Sequence, residues 1–149
     1  MENTIERKIP SKGNFRNSFV EKSGSNFSFP KSLIHKGDIF LVDFKTNTGC
    51  EQNGLRPALI LQNDIGNNAS PTTIVCPIST RRKIYNRTHI KLLPEECGIQ
   101  KESVLLCEQI RVIDKSRIGK KVGQIRTSVK MMDIERKVKI LLGFESDNF

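Results

Sequence analysis

Residues Gly37 to Ser79 read GDIFLVDFKTNTGCEQNGLRPALILQNDIGNNASPTTIVCPIS, and three apolar runs dominate the stretch: Ile39 to Phe44, Ala58 to Leu61 and Ile74 to Ile78. Each run is short, mostly β-branched or aromatic, and bounded by Gly, Pro, Asn or Asp, which predicts strand, loop, strand, loop, strand. The first loop is polar and holds Thr48, Gly49, Glu51, Gln52, Gly54 and Arg56. Pro57 then starts the second strand, where a missing N–H is tolerated. An arginine is thereby placed at a strand mouth beside a polar loop.

Outward from this stretch, residues 1 to 34 are rich in Ser, Asn and Lys, broken by Pro10, Gly13, Gly24 and Pro30, and show no sustained period. They read as a mobile extension ahead of a domain spanning 35 to 149. The extension is net basic and carries Phe15, Phe19, Phe27 and Phe29, half of the eight phenylalanines. After Ser79 comes a basic loop, Thr80, Arg81, Arg82, Lys83, Tyr85, Asn86 and Arg87, with the only tyrosine. Cations beside an aromatic suit single-stranded RNA, whose phosphates and exposed bases are bound together.

Thr88 to Leu92 reads as a short strand, Pro94 to Gly98 as a turn, and Ser103 to Ile110 as one buried strand. Asp114 to Ile118 reads as a helical turn and Lys121 to Ile125 as a short strand. Thr127 is an N-cap for a helix to Leu142, with Met131, Ile134, Val138 and Leu141 on one face and Gly143 ending it. Strands first and one helix last predict a mainly β (α+β) fold, a small SH3-like antiparallel barrel closed by a C-terminal helix.

Composition bounds the partners. The 149 residues make one domain's worth of chain, and the formal charge of +9 favours an anionic partner through release of counterions. The cysteines at 50, 76, 97 and 107 form no CxxC pair, and the only histidines are His35 and His89, which argues against a zinc site or a disulfide scaffold. No apolar run reaches the ~18 residues of a membrane span, and the N-terminus has no secretory core. A cytoplasmic protein with no membrane partner is the expectation. No GxGxxG or P-loop pattern suggests a nucleotide cofactor.

The run Gly37, Asp38, then Gly49, Cys50, Glu51, Gln52, Gly54, Arg56 and Pro57, then Ala58 to Asn63 and Ser70 to Ser79, resembles the MazF/PemK family of toxin endoribonucleases. The resemblance continues through His89 and the run Ser103 to Asp114, SVLLCEQIRVID. It implies a sequence-specific endoribonuclease, independent of metal and cofactor, that cuts single-stranded RNA to a 2′,3′-cyclic phosphate and a 5′-OH. It also implies a homodimer silenced by a cognate antitoxin protein. A guanidinium opposite the phosphate would stabilise the phosphorane, and a hydroxyl would donate to a non-bridging oxygen.

Those roles fall on Arg56 and Ser79, with Thr80 adjacent to supply the hydroxyl if the register slips by one. The general base stays open among Arg56, a poor proton acceptor, His89 and Glu51. Carried over position by position, the resemblance makes Gln52, His89, Ser103, Glu108 and Gln109 base contacts, with Arg81 a further RNA contact. The competing class is a non-enzymatic toxin on the same barrel, similar to the CcdB gyrase poisons, which needs no arginine and hydroxyl pair.

Overall fold

In the computed structural model, which describes residues 34–81 and 87–147, the three apolar runs form consecutive antiparallel strands. They are β1 (Asp38–Asp43), β2 (Leu55–Ile60) and β3 (Thr72–Ser79). β2 starts two residues before Pro57, so Arg56 lies inside the strand, opposite Val42, with Pro57 opposite Leu41. The ladder from β2 to β3 begins only at Ala58, opposite Pro77. A proline cannot donate to a ladder, and the two prolines at this junction mark where β2 leaves β3. The first residues of β2 are thus paired on one side only.

The polar run between β2 and β3, expected to be a loop, contains a short helix, α1 (Asp64–Ala69). Asn63 caps it by accepting from the Gly66 N–H at 2.8 Å. Buried Asn67 anchors it: its amide donates to the Gln62 carbonyl at 2.8 Å and its Oδ1 accepts from Thr73 Oγ1 at 2.7 Å.

β4 (His89–Leu92) follows, then α2 (Pro94–Cys97), which replaces the expected turn with one helical turn ending in Gly98 at φ +75°. The segment read as one buried strand from Ser103 to Ile110 is divided. β5 (Ser103–Leu106) is followed by a 3₁₀ turn, Cys107–Gln109, and β6 (Arg111–Asp114) begins beyond it. A second 3₁₀ turn, Lys115–Arg117, leads into β7 (Ile118–Gln124). The C-terminal helix is α3 (Ser128–Leu141), capped by Thr127 accepting from Lys130 N–H.

The strand order is β4-β5-β3-β2-β1-β7, with β6 also on β3. β3 is the hub because it is long enough to divide: Thr72 to Val75 pairs with β6, while Ile78 and Ser79 pair with β5. The end strands β4 and β7 are not neighbours in this order, so the barrel is not closed by hydrogen bonds alone. α2 and α3 bridge the gap. Arg126 N–H donates to the Glu96 carbonyl, Lys130 Nζ to the Lys91 carbonyl at 2.7 Å, and Gly123 of β7 lies against the Cys97 carbonyl.

Among the described residues, two apolar clusters fill the fold. One joins Ile39, Leu59, Cys76, Ile78, Ile90, Leu92 and Leu105 to the helix through Ile134, with Met131, Val138 and Leu141 packed around it, which is the expected stripe. The other gathers Phe40, Val42, Phe44, Ala58, Ile60 and Val75 with Ile34, Ile113 and Ile118. The 1 to 34 extension and the Arg82 to Asn86 part of the basic loop lie outside the described residues, apart from Ile34, which is buried in that second cluster.

Candidate active site

The β1–β2 loop starts at Lys45, a non-glycine residue at φ +57°, and is closed at its base by Phe44 N–H to the Gly54 carbonyl and Gly54 N–H to the Lys45 carbonyl. Phe44 is fully buried under the Arg111 guanidinium, 5.5 Å from the ring centre. Inside the loop, Asn47 Nδ2 donates to the Phe44 and Gln52 carbonyls at 3.0 and 2.6 Å. Side chains therefore tie down a backbone that no ladder holds.

Arg56 leaves this loop half-buried, with its Nε donating to the Asn53 carbonyl at 2.6 Å. One of five guanidinium donors is so committed, and the other four are the terminal Nη protons. The residue borders a cavity of about 240 Å³ lined by Leu55, Arg56, Pro57, Ile78, Thr80 and Arg81. The cavity lies beside the start of β2, which is paired with β1 but not with β3.

Ser79 ends β3 opposite Val104, only 4% exposed, and its Oγ accepts from the Arg81 N–H at 3.3 Å. That acceptance orients the hydroxyl and leaves its own proton to donate. Thr80 is exposed and lines the arginine cavity, as Ser79 does not. Arg81 also lines it, so the structure brings Arg56, Thr80 and Arg81 to one opening, with buried Ser79 next to Thr80 in the chain.

The opening continues into a larger cavity of about 570 Å³, which shares Pro57 and Thr80 with the first. Its walls include Ser103, Gln100, Lys101, Lys120 and Lys121. Only Ser103 among these is expected from the sequence. The Lys120–Lys121 pair is the signal for the rest, on a strand expected to begin only at Lys121. Ser103 Oγ donates to the Lys101 carbonyl at 2.8 Å.

His89 and Glu108 meet across β4 and the 3₁₀ turn, with His89 Nε2 at 2.8 Å from Glu108 Oε1. The imidazole is nearly buried and the carboxylate partly exposed. Gln52 is buried, its side-chain Oε1 without a hydrogen-bond partner among the described residues, while its backbone N–H donates to Gln109 Oε1 at 3.3 Å. Gln109 Nε2 donates in turn to the Cys50 carbonyl at 3.3 Å. Glu51 is exposed on the loop between them.

The cysteines divide cleanly. Cys76, Cys97 and Cys107 are buried in the helix-side cluster and Cys50 is exposed. Burial pushes the Cys76 thiol well above its usual range, and the neighbouring Cys107 adds to the shift. These thiols behave as small apolar groups rather than nucleophiles. Among the described residues, no three His, Cys, Asp or Glu side chains converge as a metal site, and no helix is long and apolar enough to cross a membrane.

Fold and site together define a barrel-like β protein with an arginine and a hydroxyl at one opening of a basic groove. Residues 35–142 match the family model of PemK-like, MazF-like toxins of type II toxin–antitoxin systems. The chain belongs to that family, whose members are RNA-cleaving toxins. Among solved structures it is similar to MazF from Deinococcus radiodurans, with 25% identity and a TM-score of 0.64 over 74% of this chain and 97% of that one. A MazE–MazF structure from the same organism matches at 25% identity and a TM-score of 0.61, covering 76% and 98% of the two chains. An endoribonuclease in complex with its cognate antitoxin, from a mycobacterial species, shares the fold at 18% identity and a TM-score of 0.59, over 75% and 95% of the chains.

Proposed function

We propose that this toxin is a metal-independent endoribonuclease that cuts single-stranded RNA at a specific sequence, leaving a 2′,3′-cyclic phosphate and a 5′-OH. The observation that carries the reading is Arg56. Its Nε is anchored to the Asn53 carbonyl, so the guanidinium is aimed before substrate arrives and, among the described residues, its Nη groups are left for a phosphate. The Ser79 hydroxyl, oriented by the Arg81 N–H, supplies a donor to a non-bridging oxygen. The 2′-OH next to the scissile phosphate is the nucleophile, so no metal-bound water is needed.

The strand of RNA runs from the arginine cavity into the larger groove, where Lys101, Lys120 and Lys121 offer charge to its phosphates. Thr80, Arg81 and Ser103 border that path, Glu51 and Gln52 belong to the loop that leads to Arg56, and base edges are read from among these five. The general base is drawn from Glu51, Arg56 itself and His89, which is hydrogen-bonded to Glu108.

Two partners complete the reading. One is a cognate antitoxin, supported by the MazE–MazF structure to which the chain is similar. The other is a second copy of this chain. Ile74 and Val112 pair across β3 and β6 and remain 38% and 58% exposed, and Leu142 and Phe144 are exposed at the end of α3. Apolar surface of this kind asks for cover.

The test uses the purified full chain and single-stranded RNA in EDTA. The expected products carry the two named ends, and Arg56→Ala lowers the cleavage rate by about a hundred- to a thousandfold. Full activity in Arg56→Ala, or a strict need for added metal, refutes the proposal. Loss of RNA cleavage altogether with retained growth inhibition identifies a protein-poisoning toxin instead.

A further inference from the structure

We propose that Gln109 is a positioning residue, whose side-chain amide holds the β1–β2 loop in the shape that aims Arg56. The inference rests on the arginine role given above. Resemblance assigns Gln109 to base contact, but the structure uses its amide in another way. Oε1 accepts from the Gln52 N–H and Nε2 donates to the Cys50 carbonyl, both at 3.3 Å and across 57 and 59 residues of sequence. The amide thus closes a bridge onto two backbone groups of the loop, as a neighbouring strand would.

The geometry explains why such a bridge is needed. Residues 48 to 54 carry no strand pairing, and the loop holds Gly49 and Gly54 at positive φ. Glycines there make the conformation accessible without making it unique. Asn47 fixes the Gln52 carbonyl from one side at 2.6 Å, and Gln109 fixes the Gln52 N–H from the other. The next residue, Asn53, presents the carbonyl that holds Arg56 Nε at 2.6 Å.

Aim therefore passes from Gln109 to Gln52, then Asn53, then Arg56. Gln109 sits on the 3₁₀ turn between β5 and β6, both paired to the hub strand β3, so its own position is set by the sheet. Its neighbour Glu108 uses the same turn to reach His89.

Both bonds lie at the long end of hydrogen-bond geometry, so the expected effect is moderate. In the full chain, Gln109→Ala should speed amide hydrogen exchange at Gln52 and lower kcat by about tenfold, with KM changing far less. Gln109→Glu keeps the acceptor for Gln52 N–H and loses the donor to Cys50, and it should recover part of the kcat if Gln109→Ala is compromised in folding. Combined with Arg56→Ala, Gln109→Ala should cost nothing further, because it acts through the arginine.

Unchanged exchange at Gln52 overturns the proposal. So does a changed cleavage sequence with wild-type kcat, which marks a base contact. Additive losses in the double variant also overturn it. If the wild-type chain fails to cut RNA, the functional reading fails, and the exchange measurement still decides whether Gln109 holds the loop.

Discussion

Substituting Gly123 by alanine tests how the open side of the barrel is sealed. An added Cβ would stand 2.3 Å from the Cys97 carbonyl oxygen and 3.4 Å from its carbonyl carbon. For the oxygen, ordinary contact begins about 1 Å further out, and both partners are backbone, so neither side can rotate away. β7 is held by β1, with Gly123 opposite Ile39, and α2 is held by buried Cys97 and by Arg126 N–H to the Glu96 carbonyl. Separating them by that distance is overpacking, at a cost of about 1–3 kcal/mol. At roughly 4 °C per kcal/mol for a domain of this size, Tm falls by about 4–12 °C. Thermal and urea unfolding of the full chain, followed by circular dichroism, measures it. The same separation moves Gly98, Ile99 and Val122, which line the larger groove, so KM for RNA should rise in the variant at temperatures where it is still folded. A Tm within about 1 °C of wild type would refute the reasoning, because no side chain could absorb the contact.

Other consequences can be measured directly. Ser79→Ala should lower kcat by about a hundredfold while Thr80→Val costs far less, since Ser79 is held in orientation by the Arg81 N–H; the reverse order in single-turnover assays would transfer the donor role to Thr80. Acid should destabilise the fold through three carboxylates held below their ordinary values: Asp64 by the Lys36 N–H, Glu96 by the Leu93 N–H, and Asp114 by Ser116. Groups with lowered folded values add stability above their unfolded values of 3.8 to 4.5 and lose it as pH falls through the folded ones, so the urea midpoint should be level near pH 6 and drop below about pH 4.5. Each of these carboxylates is largely solvated, so the drop is shallow. Sedimentation should show a dimer at micromolar concentration that Ile74→Lys weakens, and a wild-type chain running as a monomer would rule out the second copy as partner.

What the sequence made legible follows from how local each signal is. β1, β2, β3 and α3 announce themselves through apolar period and caps, and Arg56 through the polar loop and Pro57 that flank it. α1 hides because Asp-Ile-Gly-Asn-Asn-Ala has poor helix propensity, and it forms only when Asn67 is bonded to Gln62 and Thr73. α2 is too short for a period to show. The lysines of the larger groove come from β7 and the β4–β5 connection, which only the sheet order brings beside Thr80.

The division of Ser103 to Ile110 shows why the site itself was only half legible. A single strand would send Glu108 and Gln109 to opposite faces and keep every residue in a ladder. Its apolar character points to one, because Val104, Leu105, Leu106 and Cys107 are all buried. Pairing with β4 nevertheless ends at Leu106, opposite His89, and pairing of β6 with β3 starts at Arg111. Between those two ladders the chain must change partners, and the 3₁₀ turn makes the change in three residues. Released from pairing, Glu108 reaches His89 and Gln109 reaches the Arg56 loop, which no periodic pattern could specify. The break in the strand is therefore what sends two adjacent polar residues to two different partners, the His89 imidazole and the loop that leads to Arg56.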